Sequence, residues 1–140
     1  MELLKNNRPK IIRTKLLRLI GKKMITLPWG VYAAPSADIR EIDVTHELIH
    51  IAQYRELLVA SLILTIPMAI VSVWWAPLIS LVIFYLWYGS EYLIRYVVYG
   101  FDQRRAYKNI SFELEAYDND DNSSYLDDRK WFAFLNYILR

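Results

Sequence analysis

The sequence contains no cysteine and only two histidines, His46 and His50, among its 140 residues. The absence of cysteine excludes a disulfide scaffold, a cysteine-ligated zinc finger, an iron–sulfur centre and a cysteine nucleophile. Any metal ion must therefore be bound by histidine and carboxylate side chains. The length predicts a single domain over residues 1–140.

Charge is also absent from a long stretch, because no charged residue occurs between Leu57 and Ser90. As one straight helix this stretch would be about 51 Å long, well beyond the ~30 Å hydrocarbon core of a bilayer. The segment Trp74-Trp75-Ala76-Pro77 offers a break, since proline disfavours helix before it and tryptophan favours the membrane interface. We predict a transmembrane or membrane-embedded two-helix hairpin over residues 57–90. The alternative is a buried hairpin of a soluble core, but a chain of this size has little other apolar surface with which to cover both helices.

Basic side chains are concentrated at the N-terminus, where residues 1–23 carry eight Lys and Arg against one acid. By the positive-inside rule both termini would be cytoplasmic. Apolar pairs such as Ile11-Ile12 and Leu16-Leu17 alternate with basic residues, which predicts a basic amphipathic helix lying on anionic lipid. An ordinary solvated helix explains the pattern equally well, whereas nucleic-acid binding is the weaker interpretation.

Between these regions, two short strands, Met24–Leu27 and Val31–Ala34, flank a Pro-Trp-Gly turn and predict a β-hairpin. Asp43 is expected to cap a helix that begins at Val44 or Thr45. The predicted fold is therefore mainly α-helical, with one short β-hairpin.

The most informative segment is Thr45-His46-Glu47-Leu48-Ile49-His50, a complete HExxH motif at the start of that helix. Residues four apart share a helix face, so both imidazoles can bind one metal ion while Glu47 reaches a water on it. A zinc site needs a third protein ligand, which must here be a carboxylate.

Three carboxylates are candidates for the third ligand: Glu113, Glu115 and Glu91. If the hairpin turns near residues 75 and 76, Glu91 lies level with Ala60, about 15 Å along the helix from His50. Glu91 is then too deep in the membrane to be favoured, and the residues alone leave Glu113 and Glu115 open.

HELIH followed by an apolar hairpin and by Phe112-Glu113-Leu114-Glu115-Ala116 resembles the integral-membrane gluzincin peptidases of the HtpX and CAAX-protease type. It is also similar to small uncharacterised bacterial zincin-like proteins, and this resemblance implies a location in a bacterial inner membrane. The resemblance covers about residues 43–118 and departs from the Glu-x-x-Ala-Asp pattern at Tyr117. It implies a minimal zincin-like fold in which His46, His50 and Glu113 bind zinc, with Glu115 as the alternative ligand.

In such an enzyme, Glu47 acts as general base on the zinc-bound water and later protonates the leaving amine. The developing oxyanion needs a donor, and the candidates are Tyr117, Tyr107, Arg104 and Arg105. Zincins commonly align the substrate along an edge strand, a role that we assign to Val31–Ala34.

Two other patterns have simpler interpretations. Tyrosines recur every three or four residues from Tyr85 to Tyr99, which favours helix packing over a hydrated substrate path. The segment 118–124 is rich in Asp and Asn but lacks the EF-hand spacing, so it predicts a solvated linker.

Together these observations predict a zinc-dependent membrane metallopeptidase with its active site near the cytoplasmic surface, acting on a protein or peptide in contact with lipid. The alternative is a catalytically silent, membrane-anchored binding or regulatory protein that retains the zincin scaffold. The sequence does not define the substrate or the oligomeric state.

Overall fold

The computed structural model describes residues 11–19, 23–27 and 29–140 of the chain. Most of the basic N-terminal segment and Pro28 of the predicted turn lie outside the described residues. The elements in chain order are β1 (Ile11–Arg13), α1 (Leu16–Leu19), β2 (Met24–Leu27), β3 (Gly30–Ala33), α2 (Glu41–Val71), α3 (Ala76–Ile79), α4 (Ile83–Val98), α5 (Gln103–Lys108), α6 (Ser111–Asn119), α7 (Tyr125–Asp128) and a short 3-10 helix (Ala133–Tyr137). The fold is mainly helical, as predicted.

The chain divides into two compact units. The first contains Met1–Ile51 and Ala116–Lys130, and the second contains Ala52–Glu115 and Trp131–Arg140. Two of the three boundaries fall inside helices, one within α2 and one within α6, and the third lies between Lys130 and Trp131.

The first unit contains a three-stranded sheet in the order β1-β3-β2. The predicted hairpin is present as the antiparallel pair β2 and β3, which places Thr26 opposite Val31. On the other side of β3, Ile11 pairs in parallel with Val31. Val31 and Ala33 are completely buried, because β3 has a strand on each side and faces the core.

This topology corrects two predictions. Residues Ile11–Arg13 form a strand instead of the amphipathic helix expected there, and α1 is a single turn. The expectation that Val31–Ala34 is an edge strand is also wrong, because β3 is the central strand and the described edges are β1 and β2. The alternation of apolar and basic residues near Ile11 is compatible with a helical period, but in a strand it separates the two faces of the sheet.

The Arg13 side chain connects β1 to the loop that leads into α2. Its Nη1 atom donates to the carbonyl oxygens of Pro35 at 2.8 Å and Ala37 at 3.2 Å. A guanidinium with several carbonyl acceptors holds that loop compactly, since each acceptor fixes a different part of its backbone.

Helix α2 begins at Glu41, three residues before the expected start. Asp43 therefore lies inside the first turn and does not occupy the cap position. Its Oδ2 accepts a hydrogen bond from the Arg40 backbone N–H at 2.9 Å, which is the reciprocal half of a capping box. Asp43 also accepts from Lys23 Nζ at 2.7 Å.

In the second unit, the apolar stretch forms helices whose ends differ from the prediction. Helix α2 ends at Val71 instead of near Trp75, with Pro67 inside it. The returning chain forms the single turn α3 and then α4, which starts only at Ile83.

The break between α3 and α4 shifts α4 along α2 relative to the predicted hairpin. The predicted turn would place Tyr85 beside residue 66, but the Tyr85 ring lies 6.0 Å from that of Tyr54. Polar contacts fix the break, because Tyr54 donates to the carbonyl of Leu81 at 2.9 Å and the hydroxyls of Thr65 and Ser80 are 3.1 Å apart. Helix α4 therefore begins nearer to the HExxH end of α2 than a simple hairpin allows.

The core of the second unit is aromatic. Phe112 lies 4.8 Å from Phe84 and 4.5 Å from Phe134, measured between ring centroids, and all three rings are buried. Contacts of this kind fix α6 against α4, since aromatic rings bury large areas and prefer offset or tilted geometries.

Among the described residues, α2 is long and apolar enough to cross a membrane by length and composition. Helix α4 has 16 residues and is shorter. Large apolar side chains near the end of α2 are exposed, including Ile70 and Val71 at 82% each.

The Asp43 contacts predict a pH-dependent contribution to stability. Burial alone would raise the pKa of Asp43, but the hydrogen bonds from Lys23 and Arg40 outweigh it and hold the pKa well below its usual range. A lowered carboxyl pKa stabilises the fold above the unfolded value of about 4, and this stabilisation is lost as the pH falls below it. We expect Asp43→Asn to lower the free energy of unfolding by about 1 kcal/mol at pH 7.

The measurement is thermal unfolding of both proteins between pH 3 and pH 8. The difference between wild type and Asp43→Asn should shrink towards acid pH. Asp121→Asn is the matched control, because Asp121 is exposed. A difference that grows in acid would contradict the assignment.

Candidate metal centre

The two histidines of the HExxH motif lie side by side on the first turns of α2. Their Nε2 atoms are 3.1 Å apart, and the rings meet edge to face with centroids 4.8 Å apart. His50 is buried. Two ring nitrogens at this distance must share a proton or a common cation, because two facing lone pairs would repel each other.

The orientation of His46 is set by an aspartate that follows α6. His46 Nδ1 lies 3.2 Å from Asp120 Oδ2, and both side chains are 13% exposed. An ionised carboxylate only accepts hydrogen bonds, so Nδ1 carries the proton and the Nε2 lone pair is available to a cation. The interpretation of this segment as a solvated linker is therefore wrong for Asp120.

Glu113, on the first turn of α6, is buried at 2% exposure. Its Oε1 accepts a hydrogen bond of 2.8 Å from the hydroxyl of Tyr88 on α4. A buried carboxylate is costly unless it is hydrogen-bonded, paired or bound to a metal. Tyr88, which belongs to the tyrosine series interpreted as packing, thus orients a candidate ligand.

Glu115 is completely buried and lies in a different environment. Gln53 Nε2 donates to Glu115 Oε2 at 3.0 Å and to the carbonyl of Phe112 at 3.1 Å. These bonds give Glu115 a structural role in joining α6 to α2.

The side chains of His46, His50 and Glu113 form a group able to hold a metal ion, with one ligand atom from each lying within 4.8 Å of the others. Ligand atoms around tetrahedral zinc are about 3.3 Å apart, which follows from Zn–N and Zn–O lengths near 2 Å. The 3.1 Å between the two imidazole nitrogens matches this spacing. Nitrogen and carboxylate donors are those that zinc prefers.

Glu47 points towards the sheet of the first unit. Its Oε2 accepts a hydrogen bond from the hydroxyl of Thr26, the third residue of β2. The two histidines and Glu47 of the motif therefore lie on adjacent faces of α2, as the spacing predicted.

The four predicted oxyanion or substrate contacts have different surroundings. Tyr117 is 45% exposed, and its ring lies 4.7 Å from that of His46. The Tyr107 ring packs 6.4 Å from Tyr88. Arg105 stacks on Tyr99, and Arg104 is an exposed residue of α5. Of these, Tyr117 has a described contact with a histidine of the motif.

Glu91 acts at the N-terminus of α6. Its Oε1 accepts from the Ser111 N–H at 2.8 Å, and its Oε2 accepts from the Ser111 hydroxyl at 2.6 Å. Arg95 pairs with Glu91 at 3.3 Å and donates to the Ile138 carbonyl at 2.7 Å. Glu91 was placed too deep in the membrane because the predicted hairpin register is wrong. Glu91 instead caps the helix that carries Glu113.

Sequence reasoning missed four residues that support this region: Thr26, Gln53, Tyr88 and Asp120. Gln53 had a usable signal, because it continues the His46 and His50 face of α2 at the next helical interval. The others come from distant elements, and no local pattern marks them.

Comparison with known proteins gives no assignment: no protein-family model matches the chain, and no curated protein or solved structure matches it either.

The cap of α6 predicts which of two substitutions, Glu91→Ala or Ser111→Ala, destabilises the protein more. Glu91→Ala removes the acceptor for both Ser111 bonds and should lower the free energy of unfolding by about 2 kcal/mol. Ser111→Ala keeps the backbone bond and should cost about 1 kcal/mol or less. Chemical denaturation of the two variants measures the difference, and the reverse order would contradict the capping role.

Proposed function

We propose that the chain is a zinc-dependent metallopeptidase. The observation that carries the proposal is the helical HExxH motif, whose imidazole nitrogens lie 3.1 Å apart with the Glu113 carboxylate within 4.8 Å. The donor set contains two histidines and one glutamate, which leaves one tetrahedral position for water, as in catalytic zinc sites.

The chain supplies the remaining chemistry through its own side chains. A zinc ion, when bound, acts as a Lewis acid and makes a water molecule acidic near neutral pH. Glu47 accepts the proton of the attacking water and passes it to the leaving amine. Tyr117, half-exposed beside His46, is the favoured donor to the developing oxyanion.

Two partner groups support the ligand geometry. Asp120 holds His46 in the tautomer that exposes Nε2, and Tyr88 holds one oxygen of Glu113. Such carboxylate and hydroxyl partners fix ligand orientation and raise metal affinity, typically by 10–100-fold.

The substrate class that fits is a peptide in extended form. In the described part of the sheet, β2 is an edge strand, and Thr26 on it contacts Glu47. A peptide that pairs with an edge strand gains main-chain hydrogen bonds, which favours recognition of the peptide backbone over particular side chains.

We also propose that the protein works at a membrane. The length and composition of α2, the exposed apolar side chains near its end and the basic N-terminal sequence support this location. The positive-inside rule favours a cytoplasmic active site.

Zinc content tests the proposal directly. Protein purified in detergent should contain about one zinc per chain by elemental analysis. Glu113→Gln keeps an acceptor for Tyr88 but is a poor ligand, so it should lose the metal. Glu115→Gln is the matched control on the same helix and should keep it.

We expect Asp120→Asn and Tyr88→Phe to weaken zinc affinity about 10–100-fold. Wild-type protein that takes up no zinc would overturn the proposal.

Turnover separates the peptidase from a catalytically silent scaffold. Glu47→Gln should keep its zinc and lower the hydrolysis of fluorescein-labelled casein by about 10²- to 10⁴-fold, because the general base is lost. Glu41→Gln, an exposed change nearly two turns earlier, should leave the rate unchanged. Equal rates for wild type and Glu47→Gln would instead favour a binding or regulatory protein.

A further inference from the structure

The contact between Thr26 and Glu47 joins the acid–base residue to the sheet. Thr26 lies on β2, where it pairs with Val31 of the central strand, and Glu47 lies on α2. Both side chains are half-buried. A glutamate side chain has three rotatable bonds, so a carboxylate without a fixed partner would sample several positions.

We propose that Thr26 is a positioning residue for Glu47, which holds Oε2 so that the second carboxylate oxygen faces the reacting water. The catalytic consequence rests on the proposed function. Thr26 suits this role because its branched side chain has few rotamers and its backbone is fixed by β3. A carboxylate offers about four acceptor sites on two oxygens, so one bond to Thr26 leaves sites for proton transfer.

A second contact between the same two segments keeps the hydroxyl in reach. Lys23, just before β2, donates to Asp43 on α2 at 2.7 Å. Asp43 lies one turn before Glu47, and Lys23 lies three residues before Thr26. Lys23 precedes Thr26 along the chain, as Asp43 precedes Glu47. The two contacts therefore hold the β2 segment against the start of α2 at two points.

The test begins with a double-mutant cycle that needs no substrate. Thr26→Val removes the hydroxyl and keeps the shape, and we expect it to lower the melting temperature by about 2–6 °C. In a Glu47→Ala background the same change should have a clearly smaller effect, because this partner is absent. Thr65→Val, which removes a hydroxyl far along α2, is the matched control and should act equally in both backgrounds.

The catalytic arm uses fluorescein-labelled casein and zinc-loaded protein. Thr26→Val should keep one zinc, lower kcat about 10- to 100-fold and change KM by less than about twofold, since misplacement of the base affects only the reaction step. Thr26→Ser restores the hydroxyl and should recover kcat to within about threefold. Thr65→Val should leave kcat and KM unchanged.

The outcomes separate the two proposals. If Thr26→Val lowers the melting temperature by the same amount in the wild-type and the Glu47→Ala backgrounds, the proposed contact is overturned. A normal kcat in Thr26→Val, or a loss of its zinc, overturns the positioning role. If the wild-type protein binds no zinc or cleaves nothing, the peptidase proposal fails, and the thermal cycle alone decides whether Thr26 holds Glu47.

Discussion

The burial of polar and ionisable side chains along α2 and α6 is the constraint on which the structure depends. Each such group costs several kcal/mol in an apolar environment unless it is hydrogen-bonded or paired. The chain meets this cost with partners from separate elements: Asp120 for His46, Gln53 for Glu115 and Tyr88 for Glu113. The same bonds that satisfy these groups also orient them, so stability and site geometry cannot be changed independently.

The sequence predicted the elements with strong local patterns. The HExxH spacing defined which side chains of α2 share a face, and the Pro-Trp-Gly turn defined the pairing of β2 with β3. These features depend on neighbouring residues, for which periodicity and turn chemistry are sufficient.

The errors arose where distant contacts decide the structure. Ile11–Arg13 is a strand because β3 offers an unpaired edge twenty residues later, which no local pattern reveals. The register of α4 depends on the Tyr54 bond to Leu81, so the hairpin could not be placed by counting from its turn. Thr26, Tyr88 and Asp120 were missed for the same reason: each acts on a partner outside its own element.

The contact between His46 and Asp120 spans 74 positions of the chain. At a synthesis rate of about 5–20 residues per second, a ribosome makes Asp120 some 4–15 s after His46. The whole charge-free stretch is made in that interval. The two imidazoles therefore lack their orienting carboxylate until the apolar helices have been synthesised, so the HExxH segment cannot adopt this geometry as soon as it is made.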